Sequence, residues 1–542
     1  MLSNRVRKHL DGWRLFALAF SLCVAFPLLF ILSSFADSTR EIWRHVIDYL
    51  ILDLLTNTVI LSTGVLSITL ILGVSLAWLT AVCDFPGRRV FSWALLFPFA
   101  MPTYVLAFVM IGLYDFSGPV QTFLRALFPH HNHWFPPIRS TGGIIVVMSL
   151  SLYPYVYLLS RSAFRTQGRR ALEAGRSLGC SPLAAFFKVA LPMARPWIAG
   201  GLSLVLMETL ADFGAVSVFN FDTFTTAIYK VWFGFFSLPA AAQLSGLLLV
   251  FVFFTLYLEQ WTRRKKSYIQ GSRHDTEYPP MKLSGWKRIG AATYASSILL
   301  LSFLIPFGQL VIWVIGIFGQ EFNAKYLGLL YRSLFFGLSA AFVICLICLV
   351  LAYTQRKHMD GFSTALIRIS TLGYAFPGAV LAVGLVIGIS LLDEFLTNMA
   401  ANSFGLKLES MIQGTVMVVV FAYVVRFTAV GYQPVSSSIQ RIHRHIDEAS
   451  INMGVKGWSL IRRVHVPMLK SGLFTALVLV FVDVMKEMPM TLMTRPFGWD
   501  TLAVKIFELT SEGEWERAAL PAVTLVMGGL IPVILLMKGS EK

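Results

Sequence analysis

Long apolar stretches alternate with short polar, basic segments along the whole chain. Each apolar stretch has about 18 residues or more, the length at which a helix crosses a hydrocarbon core of ~30 Å. Because lipid offers no partners for free backbone N–H and C=O groups, stretches of this length are expected to be helical. The sequence lacks the strict alternation of apolar and polar residues that marks barrel strands. The pattern therefore predicts an all-α, polytopic membrane protein.

The apolar stretches predict about twelve transmembrane helices, six in each half of the chain. The predicted spans are residues 13–35, 53–82, 91–114, 141–163, 197–220, 240–261, 290–318, 328–354, 369–392, 411–433, 471–494 and 518–537. The fifth and eleventh spans carry acidic residues, so these two are expected to be broken or tilted.

Composition and charge placement agree with this topology. The 542 residues are 56% hydrophobic and only 14% charged, which excludes an ordinary soluble domain. The net charge of +16 could indicate nucleic acid, but the alternate loops that begin with the N-terminus hold 32 of the 45 Lys and Arg residues. That asymmetry predicts that both termini lie in the cytoplasm. The basic residues therefore indicate the lipid membrane, and we expect no nucleic-acid partner.

The two halves of the chain repeat each other at an offset of 275 residues, as Pro102 and Pro377 show. The acids Glu208 and Asp212 lie four residues apart, which predicts one face of the fifth span, and they align with Asp483 and Glu487, which do the same in the eleventh. An offset of six spans, an even number, makes the halves parallel repeats, and substrate is expected to pass along their interface. We place the first repeat at residues 1–262, a cytoplasmic linker at 263–288 and the second repeat at 289–542.

One polar loop is kept in each repeat, and it carries the strongest functional signal. In both copies a Glu-Ala pair stands six residues before a glycine, and a proline follows that glycine by thirteen residues. The residues concerned are Glu173, Ala174, Gly179 and Pro192 in the first copy, and Glu448, Ala449, Gly454 and Pro467 in the second. We predict two short helices joined by a glycine hinge along the membrane surface, with the second helix ending at the proline.

This pattern resembles the E-A-A-x₃-G-x₉-I-x-L-P motif of the membrane permeases of binding-protein-dependent ATP-binding cassette importers. Gly175 and Ser450 replace the second alanine, and Val189 and Val464 replace the isoleucine. The resemblance implies a type I importer permease whose two loops, around residues 173–183 and 448–458, dock into a cytoplasmic ATPase dimer. The chain has no G-x-x-x-x-G-K-[ST] phosphate loop, so we expect no ATP hydrolysis here. No cofactor is expected on this chain, and ATP should bind the partner subunit.

The four acids within the spans are candidates for the translocation path. A carboxylate in a span costs at least ~2.5–3.5 kcal/mol on insertion scales, so such residues usually face a bundle interior or a water-filled path. Glu208, Asp212, Asp483 and Glu487 could therefore attract a cation, since carboxylates suit hard cations. The alternative is a structural role in hydrogen bonds between helices or in salt bridges, for example with Lys486.

The substrate is indicated by resemblance alone. Residues 210–216, 222–229, 484–489, 495–497 and 500–503 look like the corresponding segments of fused ferric-iron importer permeases. The resemblance implies a bacterial inner-membrane protein that receives ferric iron from a periplasmic binding protein. Fused thiamine and phosphonate-type permeases share the architecture, so thiamine, phosphonate and polyamine stay open as alternative substrates, as does an ion-coupled secondary transporter. His130, His131 and His133 could contact a metal in an outer loop, although an ordinary loop facing the binding protein explains them as well.

Overall fold

A computed structural model of the chain describes residues 11–36, 40–128, 136–165, 181–264, 281–405 and 410–540. The first half is built almost entirely of helices. In order they are α1 (Gly12–Ser33), α2 (Arg40–Tyr49), α3 (Ile51–Val82), α4 (Arg88–Ala94), α5 (Thr103–Tyr114), α6 (Pro119–Leu127), α7 (Thr141–Ala163), α8 (Pro182–Ala185), α9 (Leu191–Ala211), α10 (Gly214–Val218), α11 (Phe224–Tyr229) and α12 (Leu238–Arg264).

The second half follows the same plan. Its helices are α13 (Trp286–Leu299), α14 (Ile305–Glu321), α15 (Ala324–Lys357), α16 (Gly361–Ser370), α17 (Gly378–Phe404), α18 (Val416–Gln440), α19 (Arg444–Asn452), α20 (Trp458–Leu460), α21 (Val466–Met468), α22 (Lys470–Lys486), α23 (Pro489–Thr494), α24 (Leu502–Ser511) and α25 (Trp515–Ser540). Two short strands, β1 (Cys83–Asp84) and β2 (Met281–Lys282), pair in parallel, with Cys83 opposite Met281.

The prediction of an all-α, polytopic membrane protein is confirmed, although not all twelve predicted spans are reproduced among the described residues, and the third, residues 91–114, is divided between α4 and α5. Among the described residues, ten helices have the length and hydropathy to cross a membrane, and a bent pair, Trp458–Met468 with Lys470–Lys486, makes an eleventh. A shorter apolar helix, Leu238–Phe254, occupies the remaining predicted position. The fifth and eleventh spans are broken as expected, because α9 stops at Ala211 and α22 stops at Lys486, each before a second, short helix.

The described residues form two compact units, and the chain passes between them more than once. The first-core unit comprises His45–Ala227, Leu248–Glu321 and Ile506–Lys542. The second-core unit comprises Met1–Arg44, Ile228–Leu247 and Phe322–Lys505. Within the first-core unit, α3, α7 and α9 pack against one another, and within the second-core unit α15, α18 and α22 do the same. These triplets occupy matching positions in the two repeats, so each repeat contributes the same helical core.

The first helix of each repeat packs against a helix of the other repeat. In the second-core unit, α1 lies along α17, where a Cβ at Gly384 would overlap the Pro27 carbonyl and one at Gly388 would overlap the Phe26 ring. Glycines spaced by four residues let two helix backbones approach closely within a membrane. In the first-core unit, α14 packs on α5, where Phe108 and Trp313 stack at 6.3 Å. The compact units are therefore not consecutive segments of the chain.

A wide helical turn precedes the motif proline in each repeat. Phe186–Ala190 and Ile461–His465 are π-helical, and the N–H groups of Leu191 and Val466 bond to carbonyls five residues back. Proline supplies no N–H and its ring crowds the preceding turn of an α-helix, so a widened turn accommodates it. The prediction that the helix ends at Pro192 is therefore wrong, because the chain remains helical from Leu191 to Ala211. In the second copy the chain does bend, by 81° just beyond Pro467.

The start of α1 is held by an ionic cluster. Asp11 caps the helix by accepting a hydrogen bond from the Arg14 N–H, and it also contacts Lys357 Nζ at 2.5 Å and His358 Nε2 at 2.9 Å. Burial alone would raise the pKa of the Asp11 carboxyl, but the hydrogen bonds from Lys357 and His358 outweigh it and lower that pKa to about 2. The carboxylate therefore stabilises the folded protein while it is charged.

Asp11→Asn is expected to lower the melting temperature of the detergent-purified protein at pH 7, because asparagine keeps the cap but loses the charge. The pKa is lowered in the folded state, so the stabilisation is present above the ordinary pKa and is lost as pH falls from about 4 to about 2. The difference between variant and wild type should shrink over that range. Asp48→Asn, at an exposed carboxylate, is the control. A difference in melting temperature that does not change with pH would contradict this interpretation.

Candidate coupling loops and membrane carboxylates

The second motif loop is a short helix closed by a glycine. At the end of α19, Val455 N–H bonds to the Ser450 carbonyl at 2.9 Å and Gly454 N–H bonds to the Ile451 carbonyl at 3.0 Å. This pair of bonds is a Schellman motif, which needs a residue with positive φ at the position that Gly454 occupies. Its φ is +84°, a conformation that costs other residues energy. The glycine of the motif therefore ends the helix and turns the chain.

Several side chains of α19 and of the residue that follows it are exposed in the part of the chain that the structure describes. Glu448 has 68% of its side chain exposed and contacts the exposed His445 at 3.2 Å. Ala449, Ile451 and Met453 are also exposed, and Met453 reaches 75%. A negative charge beside small and apolar side chains is thus presented on one projecting helix, and it suits docking to another protein.

The first motif loop is described only in part. Pro192 lies in the first turn of α9, as a proline can without loss of a hydrogen bond. Glu173, Ala174 and Gly179 lie outside the described residues, as do His130, His131 and His133 of the outer loop. In the part of the chain that the structure describes, no group of three His, Cys, Asp or Glu side chains is arranged to hold a metal.

In the first repeat, Asp212 lies at the break of the fifth span. The chain leaves the helix there, so Asp212 is not on the helical face of Glu208 that the spacing suggested. Its Oδ1 accepts from the N–H groups of Ala215 and Val216 at 2.9 and 3.2 Å, which caps α10. Its Oδ2 accepts from Thr103 Oγ1 at 2.6 Å. One turn earlier, Glu208 Oε1 lies 3.4 Å from Tyr155 Oη, so both acids face neighbouring helices.

Glu487 occupies the matching break in the second repeat. It accepts from the N–H groups of Met490 and Thr491 at 3.1 and 3.0 Å, and so caps α23. Arg426 Nη1 of α18 lies 3.0 Å from Glu487 Oε1, and the two side chains are only 14% and 2% exposed. Lys486 interacts electrostatically with Asp483 one turn earlier in the same helix. Both acids of this repeat therefore have a basic partner.

The repeat offset shows which residues create this difference. Arg426 corresponds to Ser151, and Lys486 corresponds to Ala211. Gly378 corresponds to Thr103, the residue that donates to Asp212. A Cβ at Gly378 would overlap the Arg426 guanidinium and lie 2.7 Å from Glu487 Oε1, so the glycine makes room for the ion pair. At two of these positions the second repeat therefore carries a base where the first carries an uncharged residue.

Sequence reasoning had missed Arg426 and Thr103 as partners of the membrane acids. The sequence did indicate that Arg426 is unusual, because it stands inside an apolar span and aligns with Ser151 in the other repeat. Comparing the repeats position by position would have found it.

Comparison with known proteins agrees with this architecture. Residues 69–264 and 351–538 each match the family described as binding-protein-dependent transport system inner membrane component. The Fe(3+)-transport system permease protein FbpB 2 of Haemophilus influenzae is 27% identical over 494 residues, covering 90% of this chain and 90% of that protein. The ferric transport system permease protein FbpB of Actinobacillus pleuropneumoniae is 23% identical over 469 residues, 83% of this chain and 64% of that protein.

A shorter match is to a permease that is named for another substrate, sulfate. The sulfate transport system permease protein CysW of Escherichia coli is 28% identical over 200 residues, 37% of this chain and 66% of that protein. With the family matched twice and the membrane helices duplicated, the chain belongs to the binding-protein-dependent transport system inner membrane components, as a multi-pass permease that carries both copies of the family's membrane domain in one polypeptide.

Proposed function

We propose that this chain is the membrane subunit of an ATP-driven importer that carries ferric iron delivered by a periplasmic binding protein. The assignment of iron as the substrate rests on how much of this chain aligns with the ferric permeases. The ferric relatives align with 83% and 90% of the chain, through both repeats. A molybdate/tungstate permease of Pyrococcus abyssi and the sulfate permease CysW align with 42% and 37% of it.

The charges within the spans support a cation. Glu208 and Asp212 bring two carboxylates to the first repeat, and the positions that are basic in the second repeat hold Ser151 and Ala211 there. Oxygen ligands of this kind suit a hard trivalent cation. In the second repeat Arg426 forms an ion pair with Glu487, and Lys486 lies three residues after Asp483 in the same helix. At these aligned positions the second repeat carries two positive charges that the first repeat lacks.

The drive comes from a separate ATPase dimer, with one protomer under each motif loop. Charge placement puts both loops and both termini in the cytoplasm, where ATP is available. ATP-driven closure of the dimer would move the loops and open the path outward, and hydrolysis would return it inward. The projecting surface of α19 supports this assignment, because Glu448 and Met453 are exposed for contact.

The test is transport by the reconstituted complex. Proteoliposomes with the permease, its ATPase and the binding protein loaded with radiolabelled ferric iron should accumulate iron only when ATP is supplied. Uptake by permease alone on a proton or sodium gradient would show a secondary transporter instead. Uptake of sulfate, molybdate, thiamine, a phosphonate or a polyamine, without iron, would keep the importer but reject the substrate.

Glu173→Ala combined with Glu448→Ala is expected to lower ATP-driven uptake at least ~10-fold, the loss of ~1.4 kcal/mol at the docking surfaces. The permease should still be inserted in the membrane at the wild-type amount, because Glu448 is exposed and makes no contact that the fold needs. Glu394→Ala combined with Glu512→Ala removes two exposed acids elsewhere and is the control. Undiminished uptake in the Glu173 and Glu448 variant would reject the role of the loops.

A further inference from the structure

The second coupling loop (α19 and the turn that follows it) is tied to the end of the membrane helix α15 by three side chains. Asp447 directly precedes Glu448, and its Oδ2 lies 2.6 Å from Arg356 Nε of α15. Its Oδ1 lies 2.9 Å from Nε2 of His465, in the π turn that leads into α21. Arg356 Nη1 also donates to the Ile439 carbonyl at 2.6 Å, near the end of α18. The helices α15 and α19 and the π turn, all in the second-core unit, thus meet at the Asp447 carboxylate.

The cluster is shielded from water. The side chains of Arg356, Asp447 and His465 are 8%, 19% and 0% exposed. Burial by itself would raise the pKa of the Asp447 carboxyl, but the hydrogen bonds from Arg356 and His465 more than compensate and hold that pKa below its usual value. Asp447 is therefore charged at neutral pH, and Nε2 of His465 must carry the proton that it accepts. Such charge-assisted bonds are short and directional, so they fix the orientation of α19.

At the three positions of the first repeat that align with this cluster, the sequence holds no charged residue. Arg356, Asp447 and His465 correspond to Ala81, Leu172 and Ala190, three apolar residues. Nearby, Tyr353, whose ring lies 5.6 Å from His465, corresponds to Trp78, which contacts Phe164 at 5.6 Å and Phe186 at 4.7 Å. The base of the second loop is therefore ionic at positions where the sequence of the first repeat is apolar.

We propose that Arg356, Asp447 and His465 act as a positioning clamp, which holds the second coupling loop rigidly to α15 and α18. The inference rests on the proposed function, since it concerns how ATPase movement reaches the membrane helices. A directional polar clamp transmits a displacement of α19 to the ends of α15 and α18. An apolar contact permits sliding, since apolar packing is not directional. Each of the three is a positioning residue, and none touches substrate.

The decisive experiment compares two neutral replacements of one buried residue. His465→Gln keeps an N–H donor near the position of Nε2, and His465→Leu fills similar space without one. In proteoliposomes with ATPase and iron-loaded binding protein, the measurement is iron transported per ATP hydrolysed. His465→Leu should lower this ratio at least ~5-fold, because it removes one hydrogen bond to a charged group. ATP hydrolysis should continue. His465→Gln should stay within about twofold of wild type.

Asp447→Asn provides a second, independent variant, and it should lower the same ratio as strongly as His465→Leu. Asp360→Asn is the matched control, because Asp360 also pairs with an arginine, Arg14, at 2.9 Å but lies outside the clamp. A purely structural role would change protein yield and melting temperature and leave the ratio unaltered. Equal ratios for the Leu and Gln variants, or wild-type ratios for His465→Leu and Asp447→Asn, would overturn the clamp. Failure of the wild-type complex to use ATP would instead reject the proposed function.

Discussion

Arg426→Met is expected to destabilise the protein by about 3–5 kcal/mol, the usual result when one partner of a buried ion pair is removed. Glu487 has only 2% of its side chain exposed, and Arg426 is its cationic partner at 3.0 Å. The remaining carboxylate still accepts hydrogen bonds from the N–H groups of Met490 and Thr491. It loses its counter-charge, however, in an environment of low dielectric constant. The measurement is thermal and denaturant unfolding of the purified protein in detergent.

Two further variants make this prediction specific. Arg426→Met combined with Glu487→Gln removes both charges and should recover most of the lost stability, because no charge is left unpaired. Asp212→Asn is the matched control in the first repeat, where Thr103 and two backbone N–H groups are the contacts and asparagine can still cap α10. A double variant as unstable as Arg426→Met alone would show that the arginine acts through packing.

Glu208→Gln combined with Asp212→Asn is expected to reduce ATP-driven ferric iron uptake at least ~10-fold, which corresponds to ~1.4 kcal/mol. Two unit charges 4 Å apart interact by ~4 kcal/mol at an effective dielectric constant of 20. This energy exceeds the ~1.4 kcal/mol that a 10-fold change requires, so the loss of carboxylates along the path is sufficient to produce it. Both replacements keep the size and the accepting oxygen of the side chain. The measurement is the initial rate of uptake in proteoliposomes at a fixed amount of permease.

The comparison variant is Asp483→Asn combined with Lys486→Met, which neutralises an interacting pair in the second repeat and leaves its net charge unchanged. Its uptake should remain within about twofold of wild type, because the attraction for a cation changes little. If this variant loses as much uptake as the first-repeat variant, the acids of both repeats contribute equally and the proposed charge difference between repeats is wrong.

The membrane architecture was predictable because a single physical rule governs it. Because lipid cannot bond free backbone groups, long apolar stretches are helical, and most predicted spans have a counterpart. Helix α7, for example, covers the predicted residues 141–163. The acids at 208, 212, 483 and 487 also indicated breaks in the fifth and eleventh spans, because a charged side chain inside a membrane helix is costly and therefore rare. The helix-ending glycine of the second loop followed from sequence in the same way.

The details that escaped prediction depend on neighbours far away in sequence. Pro192 was expected to stop a helix, and only the π turn before it explains why the chain continues. Asp212 and Glu487 were assigned to helical faces, yet each caps a short helix whose start no local pattern marked. The Arg426–Glu487 pair bridges two helices and needs the absent side chain of Gly378, a condition visible only once the helices are packed.

The packing of α1 on α17 has a consequence for how the protein is made. Pro27 and Phe26 meet Gly384 and Gly388, which are synthesised about 360 residues later. At ~5–20 residues per second, the first helix must remain in the bilayer for roughly 20–70 s before its partner exists. During that time lipid or an insertion chaperone must cover its surface. Folding of this permease is therefore timed by translation of its second half, and a truncated product would leave α1 permanently without its partner.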